Sequence, residues 1–278
     1  MRNTAKITTA VLAAGALTLG LSACGSDKDS GSADPNATLI VAATPTPQGE
    51  ILTYVKDHLA AKAGLKLEVK EFTDYVTPNT AVQQGEVDAN YFQHQPYLDD
   101  FNKKNGTDIV AVPNATVHLE PLGLYAKSVK KLADLKQGAT IALPNDTTNE
   151  ARALKLLEAN GLLRLKPAAG DGATPKDVAS NPRNLKFKEL EAAQLPRSLG
   201  DVDAAVINGN YALEAKLSPA RDALVAESAK GNPYANFLAV KKGHEDDPRV
   251  TKLAKLLTSP EVKKFIADQY DGAVVAAF

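Results

Sequence analysis

From residue 38 onward the chain alternates short apolar stretches with amphipathic ones, and this alternation constrains the fold more than any other feature. The stretch TLIVAAT (38–44) is an apolar run typical of a buried strand, and LKLEVKEF (65–72) alternates apolar and polar residues as a half-buried strand does. Between them, Ile51 and Val55 lie one helical turn apart, and Gly64 is a natural C-terminal cap. Strands that alternate with helices predict βαβ units around a mostly parallel sheet.

The same alternation continues to the C-terminus. A second helix is predicted to begin at Thr77 and Pro78, with Thr77 as its N-cap, and to end at Gly85 before the strand VDANYF. Near the end of the chain, Pro248 and Pro260 each predict the start of another helix.

Two stretches of the chain echo each other. GEVDANYF (85–92) and GDVDAAVI (200–207) share the pattern Gly-acid-Val-Asp-Ala before an apolar run. The stretch 38–50 is matched in style by 139–151, since each has a strand, a polar loop and a helix start. Because the two pairs are separated by different offsets, we expect two similar lobes with different insertions and not a tandem repeat.

The stretch YANFLAVKK (234–242) and the last helices are predicted to return to the first lobe. The sequence thus predicts an α/β fold with lobe 1 formed by residues 38–130 and 228–278, and lobe 2 by residues 131–227. Ligands of such folds lie beyond the carboxyl ends of the strands and between lobes, so a hinged cleft is expected there.

The N-terminus is typical of an exported lipoprotein. Residues 1–23 have basic residues followed by an uncharged apolar stretch, which indicates a signal peptide. Leu21-Ser22-Ala23-Cys24 resembles a bacterial lipobox, which predicts lipidation of Cys24 and a polar tether over residues 24–37. The alternative is a free thiol beside an ordinary signal-peptide cleavage site.

Composition and motifs argue against several classes of function. Lys and Arg number 32 against 33 Asp and Glu, so no basic excess predicts nucleic-acid binding. The single Cys and four His leave few groups for a catalytic or metal site, and no Gly-x-Ser-x-Gly, His-Glu-x-x-His or P-loop pattern occurs. His118 and Glu120 share one face of an extended segment, but a metal site normally needs three or four ligands. We therefore expect neither an enzyme nor a metal or cofactor.

The stretch LPNDTTNEAR (143–152) is the clearest candidate site. Thr147 and Glu150 match a capping box at a helix start, and Asn149 and Arg152 share a helix face near that end. A guanidinium beside amide donors is suited to binding a carboxylate. The alternative is an arginine on a solvated helix face.

Aromatic residues concentrate in a second stretch, which contains Tyr75, Tyr91, Phe92, His94 and Tyr97. Such residues line a small apolar pocket well, although either Tyr91 or Phe92 must face the core because adjacent strand residues point to opposite sides. Past the end of a third apolar strand, Asn208 and Asn210 are candidates for the same cleft, or simply turn formers.

At these residues the chain closely resembles the NlpA-type methionine-binding lipoproteins, the extracellular substrate-binding subunits of ABC importers. The resemblance rests on the lipobox and on DYVTPN, GEVDANYFQHQPYL, HLEPLGLYAKSVK, LPNDTTNEARALKLL and NPRNLKFKELEAAQLPRSLGDVDAAVING, in the family's order. One departure is NDTTNEAR, where many members have Pro or Ser within the Thr pair and Gly before the Arg.

The resemblance implies a type II periplasmic-binding-protein-like fold that closes on a free amino acid, usually methionine. It implies that Arg152 holds the ligand carboxylate and that Asn149 and Asn208 bind its carboxylate and ammonium groups. The ligand side chain would be surrounded by Tyr75, Phe92, His94 and Tyr97, with Asn145 and Tyr211 as further candidates.

The resemblance also implies the partners and the location. A monomer anchored through Cys24 on the extracytoplasmic face of the bacterial membrane would deliver its ligand to the permease and ATPase subunits of an importer. The alternatives are a binding protein for another small amino acid, a methionine derivative or a short peptide, or a surface adhesin or signalling lipoprotein on the same fold.

Overall fold

The computed structural model describes residues 34–278. The predicted signal peptide, the lipidation candidate Cys24 and the tether as far as residue 33 lie outside the described residues. Within 34–278, every helix is too short or too polar to cross a membrane.

The described chain begins with a strand and alternates strands with helices, as predicted. The strands are β1 Leu39–Ala43, β2 Leu67–Glu71, β3 Ala89–His94, β4 Ile109–Leu119, β5 Gly123–Tyr125, β6 Thr140–Pro144, β7 Arg164–Leu165, β8 Val178–Ser180, β9 Lys186–Leu190, β10 Ala204–Ile207, β11 Ala223–Ala226, β12 Asn236–Lys241 and β13 Val275–Ala276. The α-helices are α1 Glu50–Val55, α2 Thr77–Gln84, α3 Gln95–Asn105, α4 Thr147–Ala159, α5 Leu195–Ser198, α6 Gly209–Glu214, α7 Pro248–Leu257 and α8 Pro260–Tyr270.

The helix that contains α1 is longer than its regular part. Irregular helical turns precede it at Pro45–Gly49 and continue it at Lys56–Ala60 and Ala61–Ala63. Gly64 then ends the helix in the left-handed conformation with φ of 62°, which only glycine adopts without a steric cost. The predicted helix and its cap are both confirmed.

The N-cap predicted for α2 is wrong. Thr77 is already the first helical residue, and Val76 occupies the cap position. The carboxylate of Asp74 instead accepts hydrogen bonds from the backbone N–H groups of Val76 and Thr77, at 2.7 Å each. An aspartate that precedes the helix therefore satisfies two backbone N–H groups at its start.

Two mixed sheets form the framework, and each has a parallel core. The first has the strand order β13-β4-β12-β3-β1-β2, and the second has the order β11-β5-β10-β6-β9. In the first sheet β1 lies parallel to β2 and β3, and in the second sheet β6 lies parallel to β9 and β10. Strands β12 and β5 are antiparallel to their neighbours, so the expectation of mostly parallel sheets holds only for these three-strand cores.

The aspartate of the repeated Gly-acid-Val-Asp-Ala pattern makes an equivalent hydrogen bond in each sheet. Asp88 precedes β3 and accepts a hydrogen bond from the backbone N–H of Ile40 at 2.8 Å. Asp203 precedes β10 and accepts one from the backbone N–H of Thr140 at 2.8 Å. In each sheet the aspartate therefore joins the start of one parallel strand to its neighbour, which explains the echo in the sequence.

The chain crosses between the sheets twice, at residues 120–122 between β4 and β5 and at residues 227–235 between β11 and β12. Strand β5 belongs to the second sheet, although the sequence-based division assigned residues up to 130 to lobe 1. We propose lobe boundaries at these two crossovers.

Helices cover both faces of each sheet. In the first sheet, Tyr91 of β3 packs with Leu52 and Leu253 on one face, while the adjacent Phe92 packs with Leu98 on the other. This arrangement confirms that one of the two aromatic residues lies in the core, and it is Tyr91 that is fully buried there. In the second sheet, neighbouring β10 residues divide between two clusters in the same way.

Candidate ligand-binding site

A cavity lies where the strand ends of the two sheets meet, which is the usual position of ligand sites in α/β folds. Seven of the nine sequence-predicted ligand residues line it: Tyr75, Phe92, His94, Tyr97, Asn149, Arg152 and Asn208. They come from the loop before α2, from β3, from the N-terminal turns of α3 and α4, and from the end of β10.

The cavity is also lined by residues that the site prediction did not include. These residues are Gln48, Gln93, Glu120, Gly209 and Asn236, whereas Asn210, which also lines the cavity, was already a cleft candidate. Gln48 follows β1, and Glu120 and Asn236 lie in or beside the crossovers. The pattern of polar residues next to strand ends could have identified them, but only once the strand order was known.

The two remaining candidates do not line this cavity. Asn145 is exposed, and its side-chain amide donates to Glu191 at 3.0 Å. Tyr211 is buried, and its ring lies 5.1 Å from that of Tyr75. The Tyr211 hydroxyl donates to the carbonyl oxygen of Thr73 at 2.9 Å, so this residue packs behind Tyr75 and outside the cavity lining.

Tyr75, Phe92 and Tyr97 form an aromatic wall. The Tyr75 ring centroid lies 6.0 Å from that of Phe92 and 5.8 Å from that of Tyr97, within the usual range for favourable aromatic pairs. The Tyr97 hydroxyl donates to the backbone carbonyl of Tyr75 at 2.7 Å. The polar tip of Tyr97 is therefore satisfied by protein, and the ring faces contribute apolar surface to the cavity.

His94 is held in one neutral tautomer. Its Nδ1 accepts a hydrogen bond from the backbone N–H of Tyr97 at 3.2 Å, so the proton lies on Nε2, which donates to Asn149 Oδ1 at 3.2 Å. Burial, reinforced by the nearby Arg152 guanidinium, lowers the pKa of His94 to about 3. The imidazole thus adds a neutral polar wall at physiological pH.

The capping box predicted from Thr147 and Glu150 is wrong. Asp146 is the N-cap of α4, and its carboxylate accepts from the backbone N–H of Asn149 at 3.0 Å. The Glu150 carboxyl lies against Glu189 instead. Burial and that second carboxylate raise the pKa of Glu150 to about 7.

The Asn149 side chain is fully engaged by protein groups. Its Nδ2 donates to Asp146 at 2.9 Å, and its Oδ1 accepts from Asn208 Nδ2 at 2.9 Å in addition to His94. Asn149 therefore fixes the orientation of two neighbouring cavity residues, one from each sheet.

Two buried polar atoms of the cavity residues have no partner among the described residues. They are Oδ1 of Asn208, an acceptor, and Nδ2 of Asn210, a donor. The Oδ1 of Asn210 accepts from the Tyr75 hydroxyl at 2.6 Å, which leaves its amide nitrogen as the free group. An unsatisfied buried polar group costs about 1–3 kcal/mol, so a ligand that satisfies both would be favoured.

Arg152 is buried, with 4% of its surface exposed, and does not lie on a solvated helix face. Its Nε donates to Glu227 Oε1 at 2.8 Å, and its Nη2 donates to Glu227 Oε2 at 2.5 Å. Nη2 also donates to the carbonyl oxygen of Glu120 at 3.1 Å, and the guanidinium lies 4.2 Å from the ring centroid of Tyr234. Among residues 34–278, no hydrogen bond involves Nη1.

Side chains from the two sheets meet across the cavity. The pairs Tyr75–Asn210 and His94–Asn149 each join a residue near the first sheet to one near the second. The two sides of the cleft are therefore in direct contact. Within residues 34–278, no group of three or more His, Cys, Asp or Glu side chains is arranged to hold a metal ion. Of these residue types, His118 forms a hydrogen bond with Glu120 alone.

A sequence model of the NlpA lipoprotein family matches residues 39–278. The methionine-binding lipoprotein MetQ of Bacillus subtilis is 45% identical over 260 residues, which cover 92% of this chain and 93% of that protein. Membrane lipoprotein TpN32 of Treponema pallidum is 42% identical over 261 residues, covering 94% and 93% of the two chains.

The structure of this chain is also similar to solved structures of binding proteins. A nutrient-binding protein from Burkholderia cenocepacia, solved bound to methionine, superposes with a TM-score of 0.83 at 49% identity, covering 87% of this chain and 100% of that chain. The predicted two-lobed periplasmic-binding-protein-like α/β fold is confirmed by this likeness. With a family match over nearly the whole described chain, the protein belongs to the NlpA lipoprotein family.

Proposed function

We propose that this protein is a lipid-anchored, extracytoplasmic substrate-binding protein that captures a free amino acid, methionine, and delivers it to an ABC importer. The observation that carries the proposal is the buried pair of unpartnered atoms, Asn208 Oδ1 and Asn210 Nδ2, beside the Arg152 guanidinium. An acceptor, a donor and a cation together complement the two charged ends of an amino acid. Relatives named for methionine binding support the same ligand.

The ligand carboxylate would bind Arg152. Its Nη1 has no protein partner among the described residues, while Nε and Nη2 are held by Glu227. The free Asn210 Nδ2 would supply a second donor. A hydrogen bond to a charged group contributes about 1.5–3 kcal/mol, so these contacts would provide much of the affinity for any α-amino acid.

The ammonium group would donate to Asn208 Oδ1. Because both polar ends of the Asn149 side chain are engaged by protein, we assign Asn149 the role of positioning Asn208 and His94. This refines the expectation from the family resemblance, in which Asn149 touches the ligand.

Selection among amino acids would come from the aromatic wall of Tyr75, Phe92 and Tyr97, with His94 beside it. A thioether sulfur gains about 0.3–1.5 kcal/mol from each well-placed aromatic contact, whereas a charged side chain would lose its hydration without a partner. A flexible, apolar, sulfur-containing side chain is therefore the best match.

Delivery requires anchoring and release. Diacylation at Cys24 would hold the protein at the outer face of the membrane, since more than one acyl chain gives a lasting anchor. A monomer that closes on its ligand would then dock on the permease, and the ATPase subunits would supply the energy. The protein's own contribution is binding and not catalysis.

The test is calorimetry on protein that has been denatured and refolded to remove bound ligand. We expect tight one-to-one binding of methionine, weaker binding of norleucine, which lacks the sulfur, and little binding of glutamate. A native mass measurement before stripping should detect a co-purified ligand of matching mass. If no amino acid binds in this calorimetry, the proposal is overturned and an adhesin or signalling role is favoured.

A further inference from the structure

Tyr234 is a half-buried aromatic residue of the second crossover, and the roles above leave it unused. Its ring lies over the Arg152 guanidinium, whose Cζ atom is 4.2 Å from the ring centroid. The His94 ring forms a T-shaped pair with the same ring, with 5.0 Å between the centroids and 69° between the planes. The Tyr234 hydroxyl takes part in no hydrogen bond among residues 34–278. The contact with Arg152 is therefore made by the aromatic ring and not by the hydroxyl.

The second crossover links this ring to the carboxylate that binds Arg152. The backbone N–H of Tyr234 donates to Asn232 Oδ1 at 3.0 Å, and Asn232 Nδ2 donates to Glu227 Oε2 at 3.1 Å. Glu227 in turn accepts from Nε and Nη2 of Arg152. One short segment therefore contacts the guanidinium twice, along one edge through the carboxylate and over one face through the ring.

Two contacts from different directions define the plane of the guanidinium. A carboxylate along one edge alone lets the planar group tilt about that edge, whereas an aromatic ring stacked on its face opposes the tilt. A cation over an aromatic face gains about 0.5–2 kcal/mol, with the larger values where water is excluded, and Arg152 is buried. Nη1, which has no protein hydrogen bond among residues 34–278, is thereby kept in one orientation before the ligand arrives.

We propose that Tyr234 is a positioning residue for ligand recognition, whose ring holds the Arg152 guanidinium in the plane that receives the α-carboxylate. The ring thereby strengthens the selection of amino acids with a free carboxylate over their carboxamides. The inference rests on the proposed function, because it concerns how the same cavity recognises an amino acid. Tyr234 is not among the residues that line the cavity, so its effect on the ligand passes through Arg152.

The test compares two ligands that differ only at the carboxyl end, L-methionine and L-methioninamide. Calorimetry would measure both on the stripped wild-type protein, on Tyr234→Leu and on Tyr234→Phe. The wild type should prefer methionine, and in Tyr234→Leu this preference should fall by about 3- to 30-fold, the factor that corresponds to one cation–π contact. Tyr234→Phe should keep the wild-type preference, because the ring remains. A purely structural residue would weaken the binding of both ligands equally and leave the preference unchanged.

Tyr54→Leu is the matched control, because Tyr54 is a half-buried ring that stacks on Phe265 and does not line the cavity. This variant should retain the full preference. If methionine does not bind the wild type, the proposed function fails. If methionine binds, this inference alone is overturned when the wild type shows no preference, when Tyr234→Leu keeps it in full, or when Tyr234→Phe loses as much of it.

A second substitution keeps the inference testable should Tyr234→Leu not fold. Pentafluorophenylalanine at position 234 retains the shape of the ring but removes the negative charge of its face. Compared with Tyr234→Phe, this protein should show a reduced preference for methionine over methioninamide. An equal preference in the two proteins would overturn the inference.

Discussion

Glu227 binds two nitrogens of Arg152, at 2.8 Å and 2.5 Å, and so connects helix α4 to the second crossover. The same carboxylate accepts from the backbone N–H of Leu122 in the first crossover at 3.0 Å. One glutamate therefore joins both crossovers to the cation of the cavity. The guanidinium is oriented before any ligand arrives, which reduces the conformational entropy that binding must overcome.

Arg152→Met should lose tight methionine binding and about 3 kcal/mol of stability, because the Glu227 charge is left largely buried without a partner. Adding Glu227→Gln in the same chain should restore part of the stability but not the binding. Calorimetry and urea denaturation of both variants check this. Unchanged methionine affinity in either variant would remove Arg152 from the site.

His94 should make the ligand-free protein acid-sensitive. Its pKa of about 3 in the folded state is below its ordinary value of 6.5, so between these pH values only the unfolded chain takes up the proton. The free energy of unfolding should then fall by about 1.4 kcal/mol per pH unit as the pH drops through this window. Urea denaturation of the wild type and His94→Gln, at pH 7 and pH 4.5, should show a shallower loss in the variant.

The exposed His244 offers the control for that measurement. His244→Gln should keep the wild-type pH dependence. If His94→Gln and His244→Gln lose stability equally with acid, the linkage does not reside in His94.

Glu150 should have the opposite dependence. Its pKa of about 7 in the folded state exceeds the ordinary 4.5, so its contribution to stability is present below pH 4.5 and is lost as the pH rises through 7. Glu150→Gln should therefore be more stable than the wild type at pH 8, by roughly 1–3 kcal/mol, and similar to it at pH 4. Thermal unfolding at both pH values checks this, with the exposed Glu68→Gln expected to show no such difference.

Asp88 and Asp203, which hold equivalent positions in the two sheets, should contribute similarly to the free energy of unfolding. Replacing either with Ala leaves a strand N–H, that of Ile40 or Thr140, without its acceptor, which should cost about 1–3 kcal/mol. Because the two sites belong to different sheets, their effects should add in the double variant. Replacing the exposed Asp201 with Ala should change the free energy of unfolding little. An equal loss of stability in that variant would argue against a specific role for Asp88 and Asp203.

Cys24→Ala should release the mature protein from the membrane, because the polar tether has no apolar surface that could replace the acyl chains. Cell fractionation with immunoblotting measures the distribution. Retention of the variant in the membrane fraction would contradict lipidation at this residue.

Much of the architecture could be predicted because it depends on local patterns. The apolar run at Leu39–Ala43, the glycine cap at Gly64 and the prolines at the starts of α7 and α8 act through neighbouring residues, and the structure has each of them. The cap of α4 was assigned wrongly because Asp146 and Thr147 are both good capping residues, and only the position of Glu189 explains where Glu150 points.

Short segments of the chain are enough to predict the strand and helix pattern, the echo between the two sheets and seven of the nine candidate ligand residues that line the cavity, because periodicity, capping chemistry and family motifs are local properties. The folded arrangement of both sheets is needed to bring Gln48, Glu120 and Asn236 into one cavity and to place Glu227 where it orients Arg152. These residues come from segments far apart in the chain, and no local pattern records which strand ends a mixed sheet places side by side. Their contacts exist only after both crossovers bring the two sheets together.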